Sequence, residues 1–133
     1  MNVLVRELMT PEVVTVDYQE CLANAAVCMS YSHVGSLVVL AGGALAGMIT
    51  ERDLMRAVAA RRDLNLTQVC QYMAQPLRTV AAASDVEDAK REMVKHGVRH
   101  LPVTDHGRLV GFLSARDLLA PALRAVASGI AGR

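Results

Sequence analysis

Two things this chain has little of narrow its function before any motif is considered: surplus charge and a usable set of cysteines. Its 133 residues carry 14 Lys and Arg against 13 Asp and Glu, a formal net charge of +1 with a pI near 7.8. Gripping a phosphodiester backbone needs a basic stripe, and the sequence shows none, so long nucleic acid is not an expected partner. Cys21, Cys28 and Cys70 form neither a metal-knuckle spacing nor an even set. Cys21 and Cys28 would share one face of a predicted helix, but that separation rises about 10 Å, beyond disulfide reach. Reduced, buried thiols in a cytoplasmic protein are the expectation. The start, Met-Asn-Val-Leu-Val-Arg-Glu, has no cleavable apolar core, so no signal peptide is expected.

Catalytic groupings are missing as well. No Ser-His-Asp, Cys-His or paired-carboxylate arrangement can be assembled, and Glu7, Glu12 and Glu20 have no recognisable acid–base partner, so the chain is not expected to be an enzyme. His96 and His100 have metal-like spacing only on one continuous helix, which Gly97 interrupts, so no metal site is expected. His33 and His106 read as loop or turn residues.

From Cys21 to Thr50 there is no Asp, Glu, Lys or Arg. A membrane span needs about 20 predominantly apolar residues, yet this run contains Asn24, Ser30, Ser32, His33, Gly35, Ser36, Gly42 and Gly43. An internal repeat argues further against a span. Displaced by 64 residues, Met9 to Leu54 lies over Met73 to Leu118 without a gap, and 14 of the 46 paired positions are identical. They include Thr15/Thr79, Val16/Val80, Met29/Met93, Leu37/Leu101, Val39/Val103, Gly47/Gly111 and Arg-Asp-Leu at 52–54 and 116–118. The second copy places Glu87, Asp88, Lys90, Arg91, Glu92 and Lys95 in the same interval, which no bilayer accepts. An internal repeat marks one supersecondary unit used twice, so two copies related by an approximate two-fold axis are expected, with any site between them and occurring twice. A chain this long buries roughly 65% of its unfolded surface, enough for one shared core.

Each copy reads as a short helical lead, strand, helix, strand, tight turn, strand and helix: an α+β fold of two βαββα repeats with small mixed sheets. In the second copy Ser84-Asp85-Val86-Glu87 resembles a capping box, Val86, Ala89 and Met93 follow helical spacing, and Gly97 offers a C-cap. Hairpins are expected from 37–40 and 45–49 about Gly42-Gly43, and from 101–104 and 109–113 about Asp105-His106-Gly107. Third helices start at Thr50 and Ser114, running to about Ala60 and Leu119, and Pro121 ends the second or opens a turn into an Ala-rich tail. The repeats divide as 1–62 and 63–133.

The first long helix differs from its copy. Asp88, Lys90, Arg91, Glu92 and Lys95 correspond to Asn24, Ala26, Val27, Cys28 and Tyr31, leaving that helix apolar almost all round. Such a helix is buried on more than one side, and its extra face is expected to meet a second subunit in a two-fold homodimer or to be shielded by the Ala-rich C-terminal segment.

The chemistry-bearing element also repeats: Gly-Met-Ile-Thr-Glu-Arg-Asp at 47–53 and Gly-Phe-Leu-Ser-Ala-Arg-Asp at 111–117, each joining a strand end to a helix start. Free N–H groups and the helix dipole there suit an anion. Asp53 and Asp117 suit a vicinal diol such as ribose, whose two hydroxyls a carboxylate can accept, with phosphate nearer Arg99 or His100. The same spacing is equally an ordinary helix beginning, a hydroxyl cap with a first-turn carboxylate.

With Met9-Thr10, the strands at 13–16 and 78–80, His33-Val-Gly-Ser-Leu-Val-Val, Gly97-Val-Arg-His-Leu-Pro-Val and the two Gly-x-x-[Ser/Thr]-x-x-Asp endings, the chain resembles a tandem pair of cystathionine-β-synthase (CBS) domains, a Bateman module, over about residues 3–120. The resemblance implies clefts between the repeats that take AMP, ADP, ATP or S-adenosylmethionine, with no cofactor required. By position it implies Asp53 and Thr50 on ribose, Met48 against the base, and Arg99, His100 and Thr79 from the other repeat. A mirror cleft would use Asp117, Ser114, Phe112 and Thr15, facing uncharged Gly35 and Ser36, so unequal clefts are expected. Arg52, Arg56 and Arg116 would assist with further phosphates or stay solvated. The implied function is a regulatory sensor acting on an unidentified protein partner or its own dimer; the alternative is a dimerising scaffold without nucleotide.

Overall fold

The computed structural model describes residues 2–75 and 78–119. Pro121 and the Ala-rich tail lie outside the described residues.

Two compact units emerge, one comprising Val14–Arg78, the other the described residues of Met1–Val13 and Thr79–Arg133. In the first, β1 (Thr15–Asp17) runs parallel to β2 (Ser36–Ala41), which pairs antiparallel with β3 (Ala44–Thr50). Helix α2 (Leu22–Ser32) connects β1 to β2, and α3 (Glu51–Ala59) follows β3. The second unit repeats this with β4 (Val80–Ala81), α4 (Val86–His96), β5 (His100–Asp105), β6 (Arg108–Ser114) and α5 (Ala115–Leu118), and adds α1 (Val5–Leu8) from the chain start. The α+β architecture of two mixed three-stranded repeats is therefore as the sequence pattern implies.

The units are cut elsewhere than the linear division at residue 62. Val5 N–H donates to the Ser84 carbonyl (2.8 Å), Val86 N–H to Val3 (2.9 Å), and Thr10 exchanges two backbone hydrogen bonds with Phe112 on β6 (2.8 and 2.9 Å). The lead segment thus belongs to the later repeat's sheet. Residues 63–74 do the same for the earlier one: Val69 N–H donates to Glu20, a 3-10 turn Val69–Gln71 follows, and Ala74 exchanges two hydrogen bonds with Met48 (2.8 and 3.2 Å). The second short helical lead is therefore a 3-10 turn.

Each unit has its own core. Leu22, Ala25 and Met29 of α2 pack with Leu37, Val39, Ile49, Ala57 and Val69; Val86, Ala89 and Met93 of α4 pack with Val5, Leu101, Val103 and Leu113. Burying one such Leu, Ile or Val contributes about 1.5–3 kcal/mol. Helix α2 depends on this packing, because Cys21 stands at its N-cap and makes no capping hydrogen bond. Cys21 thus precedes the helix that carries Cys28; all three cysteines are free and partly buried. In α4 the cap is Asp85, whose Oδ1 accepts the Glu87 N–H at 2.8 Å, rather than Ser84. Its end is as expected, with Gly97 at φ +62°. The hairpins close through Gly42-Gly43 and His106-Gly107, with positive φ at both central residues, as two-residue hairpin loops require. The charge-free run from Cys21 to Thr50 is α2 plus the first hairpin, and no helix among the described residues is long and apolar enough to cross a membrane.

Candidate functional site

In the Val14–Arg78 unit the chain leaves β3 at Thr50 and enters α3. Thr50 N–H and hydroxyl both donate to Asp53 Oδ2 (2.9 and 3.2 Å), while Asp53 N–H donates to Thr50 Oγ1 (3.3 Å). The acidic residue is thereby locked to the strand end, its side chain 14% exposed. Its other oxygen, Oδ1, pairs with Arg56 Nη1 at 3.0 Å. Arg56 in turn lies 5.6 Å from the ring centroid of Tyr72, as does Arg62. Glu51 N–H donates to the Gly35 carbonyl (2.9 Å) and Ser36 pairs with Thr50, so the start of β2 is fixed beside this corner. Met48 is buried on β3, and Thr15 opens β1, exposed.

The second unit builds the corner again. Ser114 N–H and hydroxyl donate to Asp117 Oδ2 (2.8 and 3.0 Å), and Asp117 N–H donates to Ser114 Oγ (3.3 Å). Ala115 N–H donates to the Arg99 carbonyl (2.8 Å), and His100 is in register with Ser114. Where the first unit has Gly35 and Ser36, this one has exposed Arg99 and half-buried His100. The His100 ring stacks on Phe112, centroids 5.5 Å apart and planes inclined by 22°. Thr79 precedes β4, exposed; the expected strand at 78–80 is only Val80–Ala81.

Thus Met48, Thr50, Asp53 and Thr15 share one unit, and Thr79, Arg99, His100, Phe112, Ser114 and Asp117 the other. The sequence offers Arg56 as an aid to further phosphates or as a solvated helix residue, not as the partner of Asp53. Its spacing of three from Asp53 on one helix was the available signal. The His100–Phe112 stack carried a weaker one, a diagonal cross-strand relation.

Two independent copies of one acidic, hydroxyl-capped corner point to a family built on this repeat. The CBS domain family matches residues 5–60 and again 69–122. The chain belongs to the CBS-domain family. As a CBS pair it is 36% identical over 115 residues, 86% of this chain and 81% of its relative, to the CBS domain-containing protein YhcV of Bacillus subtilis. Among solved structures, a CBS domain protein of Pyrobaculum aerophilum complexed with AMP is similar at a TM-score of 0.82 and 30% identity, covering 98% of this chain and 100% of that one. A CBS-domain containing protein of Agrobacterium tumefaciens is similar at a TM-score of 0.79 and 31% identity, covering 90% and 92%. CBS-pair proteins are regulatory.

The surroundings of His100 shift its pKa. Burial lowers its pKa from the ordinary 6.5, the Arg99 charge lowers it further, and Asp117 opposes both. Because the folded value is depressed, the unfolded chain takes up the proton first. The stability His100 contributes is then complete above about 6.5 and is lost as pH falls below it toward the lowered folded value. Thermal melts from pH 8 to pH 5.5 are expected to fall more steeply for wild type than for His100→Gln; identical slopes would contradict this.

Proposed function

We propose that this CBS pair is a non-catalytic regulatory sensor of adenosine-containing ligands, AMP, ADP, ATP or S-adenosylmethionine. The observation that carries this reading is the Thr50–Asp53 corner: a carboxylate held by two donors on one oxygen, with the other paired to the exposed Arg56. Such a group accepts a ribose diol. Arg99 and His100 of the other repeat take the phosphate, Thr79 lies beside the same ligand, and Met48 lies toward the base. The corresponding set of Asp117, Ser114, Phe112 and Thr15 takes the same ligand class more weakly, because Gly35 and Ser36 bring no charge. The AMP bound to the Pyrobaculum aerophilum relative supports the choice of ligand.

Helix α2 supports a homodimer. Val27 and Tyr31 are 58% and 86% exposed, whereas their repeat counterparts on α4 are Arg91 and Lys95. Met55 and Val58 on α3 extend the exposed apolar surface. A second copy covers this face, and the ligand state passes to that dimer or to a protein partner in the cytoplasm. Signalling of this kind requires different affinities in two conformations. The scaffold reading is favoured by one observation, that both Asp side chains already serve as caps.

Calorimetric titration with AMP, ATP, adenosine and S-adenosylmethionine tests the proposal on protein whose mass has been fixed by light scattering. A single-chain mass removes the dimer, and no binding at millimolar ligand leaves only the scaffold. Arg99→Ala is expected to lower affinity for AMP about tenfold and for adenosine much less, the loss of one charge-assisted contact. Equal losses would remove Arg99 from the phosphate.

A further inference from the structure

We infer that Arg56 is an internal competitor for the Asp53 carboxylate and makes that site prefer anionic nucleotides over neutral nucleosides. The inference rests on Asp53 being the ribose acceptor. A diol needs two acceptor positions on the carboxylate, and Oδ2 already takes the Thr50 N–H and hydroxyl. Oδ1 takes Arg56 Nη1. A sugar must therefore displace the guanidinium or share its oxygen.

Displacement is feasible because Arg56 is 58% exposed, and ion pairs this accessible to water contribute little. The released charge is not comfortable where it lies. Arg56 and Arg62 both sit 5.6 Å from the centroid of Tyr72, so one ring serves two cations, and among the described residues Asp53 is the one carboxylate paired with Arg56. A ligand bearing phosphate brings a new counter-ion and offsets the lost pair. A neutral nucleoside takes the carboxylate and returns nothing. Arg56 thus acts as a specificity-determining residue, weakening adenosine more than AMP.

The repeat supplies an internal comparison. Position 120, the counterpart of Arg56 at the 64-residue displacement, is Ala, so no guanidinium stands at that place after Asp117. Among the described residues Asp117 has no ion pair, only its hydrogen bonds with Ser114.

Calorimetric titration of wild type, Arg56→Ala and Arg56→Lys with adenosine and AMP tests this, with melts to verify folding. Removing an exposed ion pair changes affinity by a factor of a few. Arg56→Ala is expected to bind adenosine roughly threefold tighter and AMP no tighter, narrowing the preference for AMP. Arg56→Lys keeps a charge but loses the planar fork and the stacking, and should fall between. If wild type and Arg56→Ala bind both ligands with the same affinity ratio, the role of Arg56 is overturned while the nucleotide reading stands. If neither binds either ligand, both are overturned.

Discussion

Asp53→Ala is expected to reduce affinity for AMP by tenfold to a hundredfold, and Asp117→Ala by distinctly less. Each carboxylate would accept a ribose diol, and a charge-assisted contact of this kind contributes about 1.5–3 kcal/mol. The corners match almost atom for atom, with Oδ2 receiving the capping residue's N–H at 2.9 and 2.8 Å. Under the proposed assignment the difference would lie in what the other repeat supplies: Arg99 and His100 for the Asp53 set, Gly35 and Ser36 for the Asp117 set. Asp53 also holds the start of α3, so Asp53→Ala would lose roughly 1 kcal/mol of capping together with the ligand contact. Asp53→Asn separates these roles. Its carbonyl oxygen can still accept from Thr50, but its amide offers donors where the diol needs an acceptor. Asp53→Asn should therefore melt near wild type and still lose most AMP affinity. Equal losses from the Asp53 and Asp117 substitutions would contradict unequal sites, and retained binding in Asp53→Asn would remove the carboxylate from ribose recognition.

The repeat made the fold legible, and the structure explains why particular identities sit where they do. Leu37/Leu101 and Val39/Val103 are central strand positions in the two cores. Thr50 and Ser114, each three residues before an Asp, announce the corners because capping is local and spacing alone encodes it. The exchange of lead segments was not legible. Thr10 bonding to Phe112 and Ala74 to Met48 are short bridges between segments distant in sequence, and periodicity reports only which face a residue is on. Arg56 escaped for a different reason: an arginine three residues from an aspartate is usually a weak, solvated pair. Here that aspartate is 14% exposed and anchored on its other oxygen, which under the proposal would turn an ordinary helix pair into competition for a site. Ser84 and Asp85 are both capping residue types, so sequence alone does not choose between them; the structure caps α4 with Asp85.

Gly47→Ala is expected to cost about 1–3 kcal/mol of stability, lowering the melting temperature by about 4 °C per kcal/mol. A Cβ at this position would stand 2.5 Å from the Ala74 carbonyl oxygen and 3.2 Å from Met73 Sδ. The sulfur can swing aside. The carbonyl cannot, because Met48 N–H donates to it at 3.2 Å while Ala74 N–H donates back to Met48 at 2.8 Å. Relief therefore requires the lead segment to lift off β3, next to Thr50. Met73→Ala should not rescue the variant, since the collision is with backbone. Gly111→Ala should also lose stability: its Cβ would collide with Met9 Sδ first and would meet the Thr10 carbonyl at 2.9 Å. Gly35→Ala is the control. The nearest atoms to its Cβ belong to the Glu51 carboxyl group, at 3.2 Å, a flexible side-chain end that can rotate away, so stability should change by less than about 1 kcal/mol. Wild-type melting of Gly47→Ala would mean that the Met48–Ala74 bridge yields freely, and the identities Met9/Met73 and Gly47/Gly111 would then need another cause than close backbone approach.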